Sequence, residues 1–200
     1  MKNLFLALII GLLSCGAMAQ SPNDVVQGAA DELAAGLDGR KEELAADRDA
    51  LYALIDQILL PRFDRRYAAQ LVLGKHWRNA SDEERSEFID AFYGSLIRNY
   101  GDGIINFDQD SLEVLPFRGD DTKKRATVKT FVRLDDGTKV PVNYGVVKRE
   151  SGWMMFDVTI EGISYVRNFR TELNAEIQAN GLRSVIDRLN GEQTTPSVAE

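Results

Sequence analysis

Residues 123–160, KKRATVKTFVRLDDGTKVPVNYGVVKRESGWMMFDVTI, decide the fold. Three runs rich in β-branched and aromatic residues are separated by Asp135-Asp136-Gly137 and by Glu150-Ser151-Gly152. Both links are turn material and too short for a crossover, so consecutive strands pair antiparallel as hairpins. Upstream, SLEVLPF (residues 111–117) is a fourth run, joined through Gly119-Asp120-Asp121. The expectation is a four-stranded antiparallel meander. Alternation then assigns faces. Ala126, Val128, Thr130, Val132 and Leu134 point one way; Lys129 and Arg133 point the other, with Phe131 between them. Val140, Val142, Tyr144 and Val146 share a side of the next strand. On the last strand, Met154, Phe156, Val158 and Ile160 are assigned to one side, and Trp153, Met155, Asp157 and Thr159 to the other.

Helical patterns flank this run. Ser21-Pro22 supplies an N-cap and a first-turn proline in the preferred order. Leu51, Leu54, Ile55, Ile58 and Leu59 recur at helical spacing up to Pro61, and DRRYAAQLVLG follows as a short helix with Gly74 as its C-cap. Ser81 and Glu84 form a capping box. Behind it, Phe88, Ile89, Phe92, Tyr93, Leu96, Ile97 and Tyr100 make one apolar stripe that Gly101 and Gly103 are expected to end. After the strands, residues 163–180 and 182–189 read as helices around Gly181. The order helices, sheet, helices defines an α+β domain: a four-stranded antiparallel meander packed against N-terminal and C-terminal helices. No repeat or long linker divides the chain, so residues 20–192 are expected to form one domain, and residues 193–200 a polar C-terminal tail.

The first 19 residues are read apart from this domain. Lys2, an apolar run from Leu4 to Leu13, and Ala17-Met18-Ala19 have the layout of a cleavable secretory signal peptide, and the run is too short to span a membrane. A second reading is a lipobox, Leu12-Leu13-Ser14-Cys15, with Cys15 lipidated; the alanine site is the better signal of the two. Cleavage after Ala19 removes Cys15, the single cysteine, and with it any disulfide, thiolate metal site or cysteine nucleophile. The net charge is −7, and the leader carries one cation of that balance, Lys2. An acidic body disfavours nonspecific attraction to nucleic acid or anionic headgroups, so no nucleic-acid partner is expected.

Chemistry finds few candidates. His76 is the single histidine; no G-x-S-x-G elbow accompanies it, and one histidine cannot build a zinc site. It reads as structural or solvated. Asp108-Gln109-Asp110 lacks the glycine and terminal glutamate of a calcium loop. Asn79-Ala80-Ser81 matches the loose glycosylation pattern, but Ser81 is already the helix cap. Lys123-Lys124-Arg125 reads as a solvated hairpin edge. Expected catalytic residues, metal sites and cofactors are therefore none. The one ambiguous segment is MMFDVTIEGISYVRNFR, residues 154–170, where Asp157 and Glu161 lie near Arg167 and Arg170. It is either a joint, with Gly162 making the turn and Ser164 capping the following helix, or an active site with Asp157 as a buried general base. The lack of histidine, cysteine or a metal set nearby in sequence favours the joint.

Two stretches carry a resemblance: VLGKHWRNASDEERSEFIDAFYGSLIRNYG and WMMFDVTIEGISYVRNFRTELNAEIQANGLRSVIDRLN. Leu73, Gly74, Trp77 and Arg78 stand ahead of the capped aromatic helix. Trp153, Asp157, Glu161, Gly162 and Ser164 follow, and Gly181, Ile186 and Leu189 close the pattern. In order and spacing these resemble the MlaC family, the Ttg2 toluene-tolerance type of periplasmic phospholipid-binding proteins, over nearly all of the chain after the leader. The resemblance implies a soluble, monomeric, non-enzymatic periplasmic phospholipid carrier with an apolar lipid cavity. It implies two partners, an outer-membrane lipoprotein complex and an inner-membrane ABC transporter complex of a lipid-asymmetry system. Burying a methylene is worth about 0.8 kcal/mol, so two chains of roughly sixteen carbons oppose desorption into water by about 25 kcal/mol. A carrier must therefore line its cavity with apolar groups. From face assignments, the expected lining is Phe92, Tyr93, Leu96 and Tyr100 of the helix stripe; Val128, Val132, Val142, Tyr144, Val146 and Met155 of the sheet; and Ile163 and Tyr165 after the last strand. The rival reading is an enzyme on a cone-shaped α+β fold with Asp157 as base; a third is an adaptor that binds a protein partner through an apolar face.

Overall fold

The computed structural model describes residues 21–191. The leader expected at residues 1–19 and the tail expected at residues 193–200 lie outside them. Five helices precede the sheet: α1 (Pro22–Leu37), α2 (Lys41–Ala46), α3 (Arg48–Leu59), α4 (Arg65–Leu73) and α5 (Asp82–Ile104). The sheet follows as β1 (Leu112–Val114), β2 (Arg125–Arg133), β3 (Lys139–Arg149), β4 (Gly152–Ile160) and β5 (Ile163–Ser164), and α6 (Tyr165–Gly191) ends the described chain. The strands are antiparallel neighbours in chain order, so the meander is as expected with one strand more. The extra strand escapes sequence reading because it is two residues long. It pairs Ile163 with Ile160 across Glu161-Gly162. Both turn residues have positive φ (50° and 87°), as a two-residue type I′ hairpin requires, and glycine takes the second position without strain.

Local chemistry sets the helix starts. Ser81 Oγ accepts from the Glu84 amide at 3.1 Å while Glu84 Oε2 accepts from the Ser81 amide at 2.9 Å, completing the expected box at α5. At α1, Ser21 and Asp24 form the same reciprocal pair. The α5 helix does not stop at Gly101 but runs on to Ile104. Gly101 is there for close approach: a Cβ at this position would lie 2.9 Å from Cε1 of Tyr52 on α3. In α6 the break at Gly181 is present, with φ 83° and ψ 161° inside an otherwise helical run.

The alternation assigned to β4 is corrected by a bulge. Gly145 pairs with Asp157, but the next residue, Val146, pairs with Met155, leaving Phe156 as the extra residue. Trp153 and Met155 therefore share a face with Val158 and Ile160, not with Asp157 and Thr159 as strict period-two counting gives. Phe156 instead meets the Tyr67 ring edge-on at 5.0 Å and packs against the helical core. Gly145 leaves the room for this, since a Cβ there would sit 3.0 Å from Phe156 Cζ and 3.2 Å from Asp157 Cβ.

Apolar burial falls into three clusters. One joins α4, α5 and α6: Ala68, Ala69 and Val72 receive Phe88 and Phe92, backed by Leu173, Ile177, Val185 and Ile186. A second sets Val25, Val26 and Ala29 of α1 against Val128, Val146, Trp153 and Met155 of the sheet. The third gathers Leu33, Leu37, Leu44, Leu51, Ile55 and Ile58 where α1, α2 and α3 meet. Among the described residues, no helix is long and apolar enough to cross a membrane.

The helical layer is fixed to the sheet through two aspartates. Asp157 Oδ2 accepts from Ser164 Oγ at 2.6 Å, and its Oδ1 accepts from the Val166 amide at 3.0 Å; Ser164 Oγ in turn accepts from the Arg167 amide at 3.1 Å. Asp64 caps α4 through the Tyr67 amide (2.9 Å), pairs with Arg149 Nε (2.7 Å), and donates its own amide to the Met155 carbonyl (2.8 Å). Asp157 is thus the joint at the start of α6. Asp157→Ala strands the Ser164 hydroxyl and the Val166 amide, and should destabilise the fold by about 2 kcal/mol. Thermal unfolding followed by circular dichroism should show Tm falling by roughly 4–8 °C. Asp157→Asn, which keeps one acceptor for the Val166 amide, should fall less.

Candidate functional site

The sheet face opposite Asp157 is covered by α1, and the cover is incomplete. Asn23 Nδ2 donates to the Leu115 carbonyl at 2.8 Å and holds the start of α1 at the exit of β1. An ion pair between Arg62 and Glu32 holds its middle to the segment after α3. Between these ties α1 presents Val26, Ala29, Ala30 and Leu33 toward the sheet. Ala29 and Ala30 offer only methyl groups here, where larger side chains would fill the space. A cavity of about 1010 Å³ lies there, at the top of the range of about 300–1,000 Å³ usual for small-molecule clefts.

Its walls are apolar and its mouth is polar. Val26, Ala29, Ala30 and Leu33 line one side, and Leu112, Val132, Tyr144, Met155 and Ile160 the other. Leu59 of α3, Ile104 at the end of α5 and Phe107 beyond it also line the cavity. The rim carries Asn106, Asp108, Asp110, Ser111, Arg133 and Asp135. Arg133 Nη2 donates to the Asp110 carbonyl at 2.7 Å, and Asp108 Oδ1 accepts from the Asp110 amide at 3.0 Å, which orders the rim. Such a site holds an apolar body inside and leaves a polar end in water. The bulge in β4 makes the wall continuous, because Met155, Val158 and Ile160 all face α1.

The twelve residues expected to line a cavity separate. Val132, Tyr144 and Met155 stand in this wall. Val128 and Val146 are fully buried between α1 and the sheet beside it, and Val142, also buried, pairs with Thr130 and Ile160. Phe92 lies in the helical core, stacked on Phe88 at 5.6 Å and edge-on to Phe169 at 5.2 Å, and Leu96 packs against the same cluster. Tyr93 turns to α3. Burial, then the neighbouring Asp56 carboxylate, pushes its phenol pKa up, and Arg65 stacks over its ring at 5.1 Å. Tyr100 is 49% exposed and meets Tyr165 edge-on at 5.6 Å. Ile163 is 63% exposed on the short last strand. Phe88, Phe92 and Leu96 of the α5 stripe therefore face α4 and α6, in one cluster with Ala68 and Ala69, while Tyr93 and Ile97 face α3. Sequence reading placed the start of α1 at Ser21-Pro22 but missed the helix as a cavity wall; its signal was the apolar spacing of Val25, Val26, Ala29, Ala30, Leu33 and Leu37.

Other candidates have structural partners. His76 Nε2 lies 3.0 Å from Asn174 Oδ1 and ties the turn before α5 to α6. Trp77 is covered by Arg66 and Arg85, each 5.3 Å from its ring, and its carbonyl accepts from Arg85 Nε at 2.9 Å. A second hollow of about 530 Å³ lies between residues 115–120 and β2. It is the more charged of the two, with Arg118, Lys123, Arg125 and Lys129 along it. The larger cavity is the better fit to an apolar ligand, because most of its lining side chains are apolar and its charged groups fall in residues 108–110 and 133–135.

The fold and cavity define an α+β domain built to enclose an apolar molecule. Comparison with known proteins gives its family. The family described as MlaC protein matches residues 27–191, and the chain belongs to it. It is similar to toluene tolerance protein ttg2D of Pseudomonas putida, with 32% identity over 177 residues, 87% of this chain and 82% of that one. It is 20% identical over 181 residues to the intermembrane phospholipid transport system binding protein MlaC of Haemophilus influenzae, covering 89% of this chain and 85% of that one. Among solved structures, a phospholipid-binding protein from Ralstonia solanacearum in complex with a phospholipid superposes with a TM-score of 0.78 at 25% identity, covering 86% of this chain and 98% of that one.

Ala30 tests the cavity. Ala30→Phe places a ring in the open volume without touching the helical core. Displacing two or three ligand carbons from the wall, at about 0.8 kcal/mol each, should weaken binding of an apolar fluorescent probe by roughly 15- to 60-fold. Probe titration measures this, and an unchanged circular dichroism spectrum shows that the fold is kept.

Proposed function

We propose that this chain is a periplasmic phospholipid carrier. The acyl chains lie between α1 and the sheet, against Val132, Tyr144 and Met155 on one side and Val26, Ala29, Ala30 and Leu33 on the other. The headgroup stays at the polar rim. The observation that carries this reading is the apolar-walled cavity of about 1010 Å³ with polar groups at a single mouth, on a chain of the MlaC family. The phospholipid in the Ralstonia solanacearum structure and the transport named for the Haemophilus influenzae relative support it. So does the leader read at residues 1–19, which directs the chain to the periplasm. There it exchanges lipid with an outer-membrane lipoprotein complex and an inner-membrane ABC transporter complex.

Geometry does not favour an enzyme with Asp157 as base. Asp157 pairs across from Gly145, on the face opposite Tyr144 and the cavity, and both its oxygens accept hydrogen bonds from the start of α6. The test of the carrier is direct. The full chain is expressed in a bacterium, the processed protein is purified without detergent, and the organic extract is analysed by lipid mass spectrometry. Near-stoichiometric phospholipid is the expected result, and a protein free of lipid overturns the proposal.

A further inference from the structure

One polar group stands inside the apolar wall. Tyr144 extends from the middle of β3, paired across the sheet with Val128 and Val158, and lines the cavity together with Leu59, Ala29 and Met155. Of these neighbours only Met155 carries an acceptor, a thioether sulfur, and it is a weak one. Two other tyrosine hydroxyls have protein partners: Tyr52 donates to Asp102 at 3.1 Å, and Tyr67 accepts from Arg125 at 3.4 Å. The Tyr93 hydroxyl is enclosed near Asp56 without a hydrogen bond, and it does not face the cavity. The Tyr144 hydroxyl has no hydrogen-bond partner among the described residues. Tyr144 is half-buried, its open side faces the cavity it lines, and burial pushes its phenol pKa up. It therefore stays protonated at neutral pH and is available as a donor.

Cargo that fills the cavity displaces the water that reaches this hydroxyl; a hydroxyl then left unpaired is unfavourable, and phenylalanine would supply the same ring without that cost. Position 144 therefore calls for an acceptor brought by the ligand. Hydrocarbon chains offer none, and a headgroup belongs at the rim with Asn106, Ser111 and Arg133. The groups of a diacyl lipid that lie between these two are its ester carbonyls, which accept and do not donate. We propose that the Tyr144 hydroxyl donates a hydrogen bond to an ester carbonyl of the cargo, so that the cavity selects acyl-ester lipids over alkyl-ether lipids of the same length. This rests on the carrier reading above.

The experiment offers the delipidated protein vesicles containing equal amounts of a diacyl phosphatidylcholine and its dialkyl-ether analogue, matched in chain length. Protein is separated from vesicles and its lipid quantified by mass spectrometry. The wild type should be enriched in the ester lipid by roughly three- to tenfold, the range of one hydrogen bond. Tyr144→Phe should bring the ratio close to one by losing ester lipid while ether-lipid uptake is kept. Equal uptake of the two lipids by the wild type overturns the proposal, as does an unchanged preference in a folded Tyr144→Phe, which would mean the hydroxyl is satisfied by water. The wild-type ratio decides the matter even if the variant does not fold. Uptake of neither lipid by the wild type overturns the carrier reading and this proposal with it.

Discussion

The bulge at Phe156 is the constraint on which the rest of the structure depends. A regular β4 would place Met155 on the opposite face from Val158 and Ile160, and no continuous apolar wall would face α1. Inserting one residue opposite Gly145 turns the strand, so that its two ends present apolar groups to the same side. The same insertion swings Phe156 toward Tyr67 and puts Asp157 where it caps α6. Wall and joint are two consequences of one backbone irregularity. Gly145 permits it, because any larger residue there would press on Phe156 and Asp157.

This arrangement separates what holds the fold from what encloses the ligand space. The cluster shared by α4, α5 and α6 is packed from both sides by large and small residues in alternation, Phe88 and Phe92 against Ala68, Ala69 and Val72. It reaches the sheet through Asp157 and Asp64, whose hydrogen bonds are directional and leave little freedom at the contact. The α1–sheet cluster is smaller, and it gives way to open volume beyond Ala29. A domain with a single core could not leave so much volume unfilled without collapsing onto it. Here the helical core fixes the sheet from one side, and α1 is held at its start by Asn23 and at its middle by Glu32, so the gap between them persists.

What the sequence made legible was local. The capping box at Ser81, the hairpin links, the break at Gly181 and the Asp157–Ser164 joint each depend on residues a few positions apart, and their chemistry is visible in one dimension. The cavity depends on which apolar stripe covers which sheet face, and that choice is tertiary. The α5 stripe is larger and more aromatic than that of α1, so it looked the better wall; in the structure its rings fill the space left by alanines of α4. Conversely, Ala29 and Ala30 look like unremarkable helix formers, yet their small size leaves the volume. Gly145 did carry a signal, since an isolated glycine within a strand pattern marks a bulge, and strict alternation passed over it. The fifth strand, two residues long, lies below what any period can show.

The placement of polar groups follows the same logic as that of the apolar ones. An apolar wall gains from every methylene it covers, whatever the position of that methylene along the chain, so by itself it would hold a lipid in many registers. Register needs directional contacts, and the proposed reading places them at two depths: the ordered rim around Arg133 and Asp110, and the hydroxyl of Tyr144 within the wall. For a diacyl cargo the acyl chains meet nearly the same environment in the cavity as in a bilayer, so the large cost of water contact cancels between donor and acceptor. What remains to set preference and release is the small difference made by such polar contacts and by a partner that alters them. A site of this kind is tuned by few residues, and they are the ones whose chemistry departs from the wall around them.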